Sequence, residues 1–384
     1  MMSRARKGLI SDWWWTVDKL LLVTLLLLLA GGVLLSLSAS PPVAKRLDID
    51  AFHFVKRHAF FLIPALIILI GTSFLNLRQV RRLSLFVLLG SLAALVLVPI
   101  IGFSAKGATR WISVGSFLIQ PSEFLKPVFV IITAWLFAEN AKQPDIPCNF
   151  FAILLFLICA GLLVMQPDLG QTLLLAAVWG ALFFMAGLPL MWIWALGGAA
   201  VSGLFVAYFS FSHFAGRIDR FLTGSGDTFQ VDRGLSAINN GGWMGTGPGE
   251  GRIKNGLPDS HTDFIFSVAA EEFGIVLSMM LVLVFAFIVL RGLWHGLKER
   301  DRFVQLAVSG LVLQFGLQAF INIGVNLRLL PAKGMTLPFI SYGGSSLMAV
   351  AFGMGLVLAL TRKRADSYRR ERSTLQSMAV SVSG

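Results

Sequence analysis

Leu257-Pro258-Asp259-Ser260-His261-Thr262-Asp263-Phe264 straddles the end of the longest polar interval in the chain, residues 212–262, and runs straight into a long apolar segment. The order of these residues delivers a carboxylate and an imidazole to the mouth of a hydrophobic helix. An Asp in that place has two readings. It is an N-cap whose side chain satisfies an orphan backbone N–H, or it is a base held half in water and half in a low-dielectric groove, where its proton affinity is tunable. The surrounding chain has to decide between them.

On either side the sequence is overwhelmingly apolar. Hydrophobic residues make up 56% and charged residues 14% of the 384 residues, with a mean hydropathy of +0.77. Those values exclude an ordinary soluble domain. At roughly 20 apolar residues per bilayer crossing, the runs at about 20–38, 58–75, 83–103, 124–139, 149–165, 171–187, 189–211, 264–290, 303–326 and 342–361 predict ten membrane helices. The fold class is therefore all-α and polytopic. Residues 1–19 form an N-terminal segment, 20–361 the membrane domain and 362–384 a basic, Ser-rich tail. The segment 20–37 is too long for a cleaved signal and reads as an uncleaved first helix.

The net charge of +12 does not point to nucleic acid, because its basic residues cluster beside apolar runs and no nucleic-acid motif occurs. That arrangement belongs to cytoplasmic membrane loops. An even number of spans puts both termini on one side. The excess of Lys and Arg is sharpest after the eighth run (Arg291, Lys298, Arg300, Arg302) and in the tail (Arg362, Lys363, Arg364, Arg369, Arg370, Arg372). Both termini are thus expected in the cytoplasm and the 212–262 loop outside it, in the periplasm. Cys148 and Cys159 lie too far apart on one predicted helix to bridge.

Within the long loop, Phe211, Phe214, Ile218 and Phe221 recur at helical spacing and suggest a helix in the interface plane. Val231, Leu235 and Ile238 suggest a second short helix, closed by Gly241-Gly242. The glycine-rich run Gly241–Gly256 reads as a flexible loop, or as a cradle whose bare N–H groups face a phosphate together with Arg252 and Lys254. It contains no nucleotide-binding fingerprint.

Other charges sit at or inside helix ends. Ser122 is a candidate N-cap before the fourth run, with Glu123 and Lys126 an i,i+3 pair. Asp168 is placed to cap the sixth run. Asp263, Ser267 and Glu271 share one helical face, with Glu272 beside it; at 1.5 Å per residue Glu271 and Glu272 lie about 12 Å into the helix. Unpaired carboxylates at such depth cost at least about 2.5 kcal/mol each, so they call for partners or a function. Gln314, Gln318, Asn322 and Asn326 form an amide stripe that suits hydrogen bonding between helices. Ser341, Ser345, Ala349 and Gly353 form a small-residue face for close packing. No metal-binding or serine-hydrolase motif is present.

Several stretches resemble one known family. They are Gly107-Ala108-Thr109-Arg110-Trp111-Ile112, Gln120-Pro121-Ser122-Glu123 through Lys126, Gln166-Pro167-Asp168-Leu169-Gly170, His261-Thr262-Asp263-Phe264-Ile265-Phe266 with Glu271-Glu272-Phe273-Gly274, and Leu337-Pro338-Phe339-Ile340-Ser341-Tyr342-Gly343-Gly344-Ser345-Ser346. Weak singly but specific together, they resemble the SEDS family (shape, elongation, division and sporulation) of polytopic peptidoglycan glycosyltransferases. Pro331-Ala332-Lys333-Gly334-Met335-Thr336-Leu337-Pro338 and Ser345-Ser346 look like the division-type members, with the elongation type the close alternative. The chain departs from the family pattern at Asp259, where Glu is more frequent, and at Phe273, where Leu is usual.

The resemblance implies polymerisation of lipid II in the bacterial inner membrane, at the division septum, beside a class B penicillin-binding protein (a transpeptidase) and other divisome membrane proteins. It places the family's essential aspartate at Asp263, as base on the acceptor hydroxyl. Lys126 and Arg110, and a divalent cation (Mg or Mn) where one is used, would offset the leaving pyrophosphate, with Glu123 orienting Lys126. Trp111, Asp168, His261, Lys254, Arg252 and Ser341 complete the implied substrate-binding set, and Glu271, Glu272, Gln318 and Asn322 the intramembrane polar set. No nucleotide sugar is implied. The rival reading is a flippase moving the same lipid-linked precursor, which intramembrane Glu271 and Glu272 would also suit.

Overall fold

The computed structural model describes residues 8–187 except 106, 107, 116 and 144, single residues and short groups between 191 and 223, and residues 229–331 and 334–362. The apolar run at 189–211, the expected interfacial helix around Phe211–Phe221, the basic residues before Gly8 and the tail after Arg362 fall wholly or mainly outside the described residues.

A short helix, α1 (Leu9–Thr16), precedes α2 (Lys19–Arg46), α3 (His53–Ser73) and α4 (Leu77–Ile101). A three-stranded antiparallel sheet follows: β1 (Phe103–Ala105), β2 (Ala108–Val114) and β3 (Phe117–Ile119), with Phe103 opposite Trp111 and Ile112 opposite Ile119. Then come α5 (Pro121–Asn140), α6 (Cys148–Met165), α7 (Leu169–Met185), α8 (Phe229–Gly241), a 3-10 turn (Ile253–Gly256), α9 (Ile265–Lys298), α10 (Arg302–Asn326) and α11 (Gly344–Leu360). By length and composition α2, α3, α4, α5, α6, α9 and α10 can each cross a bilayer, and α7 and α11 are shorter apolar helices. The chain is a mostly helical, multi-pass membrane protein. Cys148 and Cys159 are buried free thiols.

Why these segments are helices is plain at their ends. Asp18 caps α2 through Leu21 N–H at 3.1 Å, and Asn76 with Gln79 builds a capping box on α4. The expected C-terminal stop of α8 is present: the helix ends at Gly241, and Gly242 takes φ +56°. At α5 the cap differs from expectation. Gln120 occupies the N-cap and Pro121 the first turn, so Ser122 lies inside the helix and caps nothing. The sheet over 103–119 was hidden in the sequence, because β1 continues the apolar run of α4.

The interior packs apolar side chains around a few paired polar groups, and the surface is more apolar than that of a water-soluble protein. The most enclosed of the seven long helices, α5, carries the buried pair Glu123 and Lys126. The outer faces of α3, α4 and α9 instead expose Phe60, Ile67, Phe86, Ile100, Met280 and Leu290, as hydrocarbon demands. The small-residue face of α11 packs inward: Ser345 and Ala349 are buried, and a Cβ on Gly353 would come within 3.3 Å of Pro127 on α5.

Candidate active site

Asp263 does not cap its helix. α9 begins at Ile265, Phe264 occupies the N-cap position, and no side chain bonds there. Asp263 is half-buried on the turn that precedes the helix, with Oδ2 3.4 Å from where a Cβ on Gly334 would stand. Its backbone is fixed from below. The Asp263 carbonyl accepts from Asn322 Nδ2 and Asn326 Nδ2, each at 2.9 Å. Asn326 Oδ1 in turn accepts from Ser267 N and Oγ, at 3.2 and 2.7 Å. The two asparagines of the α10 amide stripe are therefore glue, and what they hold is the aspartate turn.

A second segment, 334–342, is tied to the same turn. Asn322 Nδ2 also donates to Met335 O at 2.6 Å, Ser341 Oγ to Thr262 O at 2.5 Å, and Tyr342 N to His261 O at 2.9 Å. Ser341 is thus a backbone fastener. The His261 ring lies 4.3 Å from Phe54 and 5.6 Å from Tyr342, centroid to centroid, an aromatic wall beside the turn. Burial raises the Tyr342 hydroxyl above its ordinary range, with Arg57 acting against that.

Deeper in the bundle lies a connected polar network. Lys126 Nζ, almost fully buried, donates to Glu123 Oε1 and to Gln318 Oε1, both at 3.0 Å. Gln171 Nε2 donates to the same Glu123 oxygen at 2.7 Å, and Gln318 Nε2 reaches Thr336 O at 3.2 Å. Gln318 and Asn322 are one turn apart on α10, so this network stands about one helical turn from the groups that hold Asp263. Arg110 on β2 donates to Gln166 O at 3.2 Å and Pro167 O at 2.5 Å, and its Nε stands 3.9 Å from Asp168 Oδ2. Asp168 caps α7 as expected. Burial pushes its carboxyl up, opposed by Arg110 and the Gln171 N–H. Trp111, next on the strand, is half-buried. Gln166, Gln171 and Thr336 belong to this network too. Gln166 and Thr336 lie in stretches that carry the family resemblance, but their contacts join residues far apart in the chain, and nothing in the sequence singles out Gln171.

The glycine-rich loop is no open cradle. Glu271 accepts from Ile253 N at 2.7 Å, Lys254 N at 2.9 Å and Asn240 Nδ2 at 3.2 Å. Lys254, buried, donates to Glu272 and to Ser38 O on α2. The sequence sets Lys254 toward a phosphate, whereas the fold turns it inward, where its ammonium pairs with Glu272 and its backbone N–H with Glu271. Arg252 remains exposed. The same contacts supply what Glu271 and Glu272 lacked in the sequence. Just beyond them α9 breaks at Gly274, with φ +77°. Loop and helix exchange backbone bonds across the break: Thr246 N to Glu271 O, Gly247 N to Glu272 O, Ile275 N to Gly242 O and Val276 N to Trp243 O. Among the described residues no group of three or more His, Cys, Asp or Glu side chains converges.

Comparison with known proteins agrees with this architecture. The sequence model of the FtsW, RodA and SpoVE group, described as "Cell cycle protein", matches residues 18–366. The probable peptidoglycan glycosyltransferase FtsW of Caulobacter vibrioides is 48% identical over 338 residues, spanning 88% of this chain and 87% of that one. Its namesake from Geobacter metallireducens is 35% identical, over 86% and 91% of the two chains. Among solved structures, a chain from a peptidoglycan synthase complex that coordinates polymerization and crosslinking superposes with a TM-score of 0.73 at 28% identity, over 91% and 98% of the chains. The rod shape determining protein RodA of Thermus thermophilus gives 0.67 at 28% identity, over 91% and 97%. Matched along nearly its whole membrane domain, the chain belongs to the FtsW/RodA/SpoVE family of cell cycle proteins.

Proposed function

We infer that this chain is a peptidoglycan glycosyltransferase, as its relatives are named, and that it polymerises lipid II during septal wall synthesis with Asp263 as general base. The observation that carries the assignment of Asp263 is its seat: a carboxylate that caps no helix, on a turn whose backbone is held by two buried asparagines. That investment in placing one residue suits a base that must meet a substrate hydroxyl within hydrogen-bond reach. Asp263 takes the proton of the acceptor sugar hydroxyl. The new bond forms from that oxygen to the donor's anomeric carbon as the bond to the lipid pyrophosphate breaks, with inversion. Lys126 and Arg110 face the charge that develops on the leaving group. Glu123 orients Lys126 through their 3.0 Å contact. Trp111 offers a ring surface to sugar or lipid and Arg252 an exposed cation, Asp168 holds Arg110 in place, and the buried His261 backs the aspartate turn.

The chain works as a ten-helix protein of the inner membrane, with the seventh span in 189–211, both termini cytoplasmic and the 212–262 loop periplasmic. Its partner is a class B penicillin-binding protein. What supports this is the likeness to a chain from a complex that couples polymerization to crosslinking, since crosslinking is transpeptidation. The flippase reading drew on unpaired carboxylates inside the membrane, and Glu271 and Glu272 have partners.

The test is purified protein in a bilayer mimic with labelled lipid II, with and without the transpeptidase. Asp263→Ala should lower glycan formation at least about a hundredfold, the scale of a lost general base. Equal glycan from variant and wild type would overturn the assignment.

A further inference from the structure

Glu271, Glu272 and Lys254 lie outside the proposed chemistry, yet all three are buried. Glu271 collects three donors, two of them the backbone N–H groups that open the 3-10 turn 253–256. Glu272 pairs with the Lys254 ammonium, which also reaches Ser38 O. The segment after that turn is stitched to the outer end of α2, through Arg46 to Leu257 O and Ser260 Oγ to Ala39 O. Five residues beyond Gly256, the same strand of chain presents His261 and then Asp263. Carboxylates from the first turns of α9 therefore hold, from beneath, the loop that feeds the start of α9.

We propose that Glu271, Glu272 and Lys254 are positioning residues, a buried clamp that fixes the 253–263 segment against α2 and α9 and so sets where Asp263 meets the acceptor hydroxyl. This rests on the reading of Asp263 as base. The clamp touches neither substrate phosphate nor a transported proton. A charge pair buried this deeply tolerates removal of both members far better than removal of one, because a single deletion leaves the other charge unpaired. That asymmetry separates a clamp from a substrate contact.

The experiment uses the full chain with its transpeptidase in a bilayer mimic. Lys254→Met, Glu272→Met and the double variant are compared for glycan synthesis and for amide hydrogen exchange over residues 253–263. Each single variant should lose at least about tenfold in kcat with KM within about threefold, and exchange should quicken. The double variant should return to within about threefold of wild type on both readouts. Glu271→Gln, which keeps one acceptor oxygen, should fall between wild type and Glu271→Ala. A double variant as inactive as Lys254→Met, with exchange at the wild-type level, would overturn the clamp and assign Lys254 to the substrate. Wild-type protein that makes no glycan, but whose exchange follows the predicted order, would overturn the glycosyltransferase reading and leave the clamp standing.

Discussion

The residues that matter most are held through their backbones. Asn326 joins the turn to the helix it feeds: its amide nitrogen donates to the Asp263 carbonyl and to Asn322 O, and its oxygen accepts from Ser267 on α9. Asn326→Leu should therefore strand the buried Ser267 hydroxyl and leave the Asp263 carbonyl to Asn322 alone, costing about 1–3 kcal/mol and lowering turnover at least tenfold, read by thermal unfolding and glycan synthesis on one preparation. A second prediction concerns Asp18. Burial alone would raise its carboxyl, but hydrogen bonds from His295 and Arg291 and the Leu21 N–H bring it well below the ordinary range. Because the folded value is depressed, its contribution is present above the unfolded value near 3.9 and is lost as pH falls through the folded one. Asp18→Asn should lower the melting temperature at pH 7, and the gap from wild type should shrink as pH drops below about 4.

At the scale of elements, the break in α9 is the feature the sequence conceals. Gly274 sits in an apolar run that reads as one uninterrupted helix, and only its backbone angle reveals the interruption. A Cβ there would fall 2.3 Å from Trp243 O, so Gly274→Ala must displace the loop that bonds across the break. We expect a loss of at least about 1–3 kcal/mol from the positive φ alone, measured by chemical unfolding, with faster exchange at Thr246 and Gly247. Helix positions were legible because apolar length and capping are local properties; Asp168, Gly241 and the α10 stripe could all be read that way. The Lys254–Glu272 pairing was not. The loop that carries Lys254 looks solvent-exposed in sequence, and only packing against α2, some 216 positions away at Ser38, makes it interior. The sheet was lost for a related reason: β1 and β3 are three residues each, too short to show an alternation of their own, and among the described residues β2 has no other neighbours to pair with. For Asp263 the sequence left two roles open; the helix begins at Ile265 with Phe264 in the N-cap position, and the role as base rests on the family resemblance.

For the whole molecule, the orientation is open to direct measurement. Glu250 and Lys298 are both exposed and lie on opposite sides of the proposed topology. In a background lacking Cys148 and Cys159, Glu250→Cys should react with an impermeant maleimide on intact cells whose outer membrane has been opened. Lys298→Cys should react only once the inner membrane is breached. The reverse pattern would invert the scheme.

That α5 is the least apolar yet most enclosed of the seven long spans, while α3, α4 and α9 wear their oiliest side chains outside, bears on how the protein could be re-engineered. A water-compatible version would need new residues only on the rind, at positions such as Phe86, Ile100 and Leu290. The wet kernel around Lys126 and Asn322 could be kept letter for letter, because it already resembles the interior of a protein that never met a lipid.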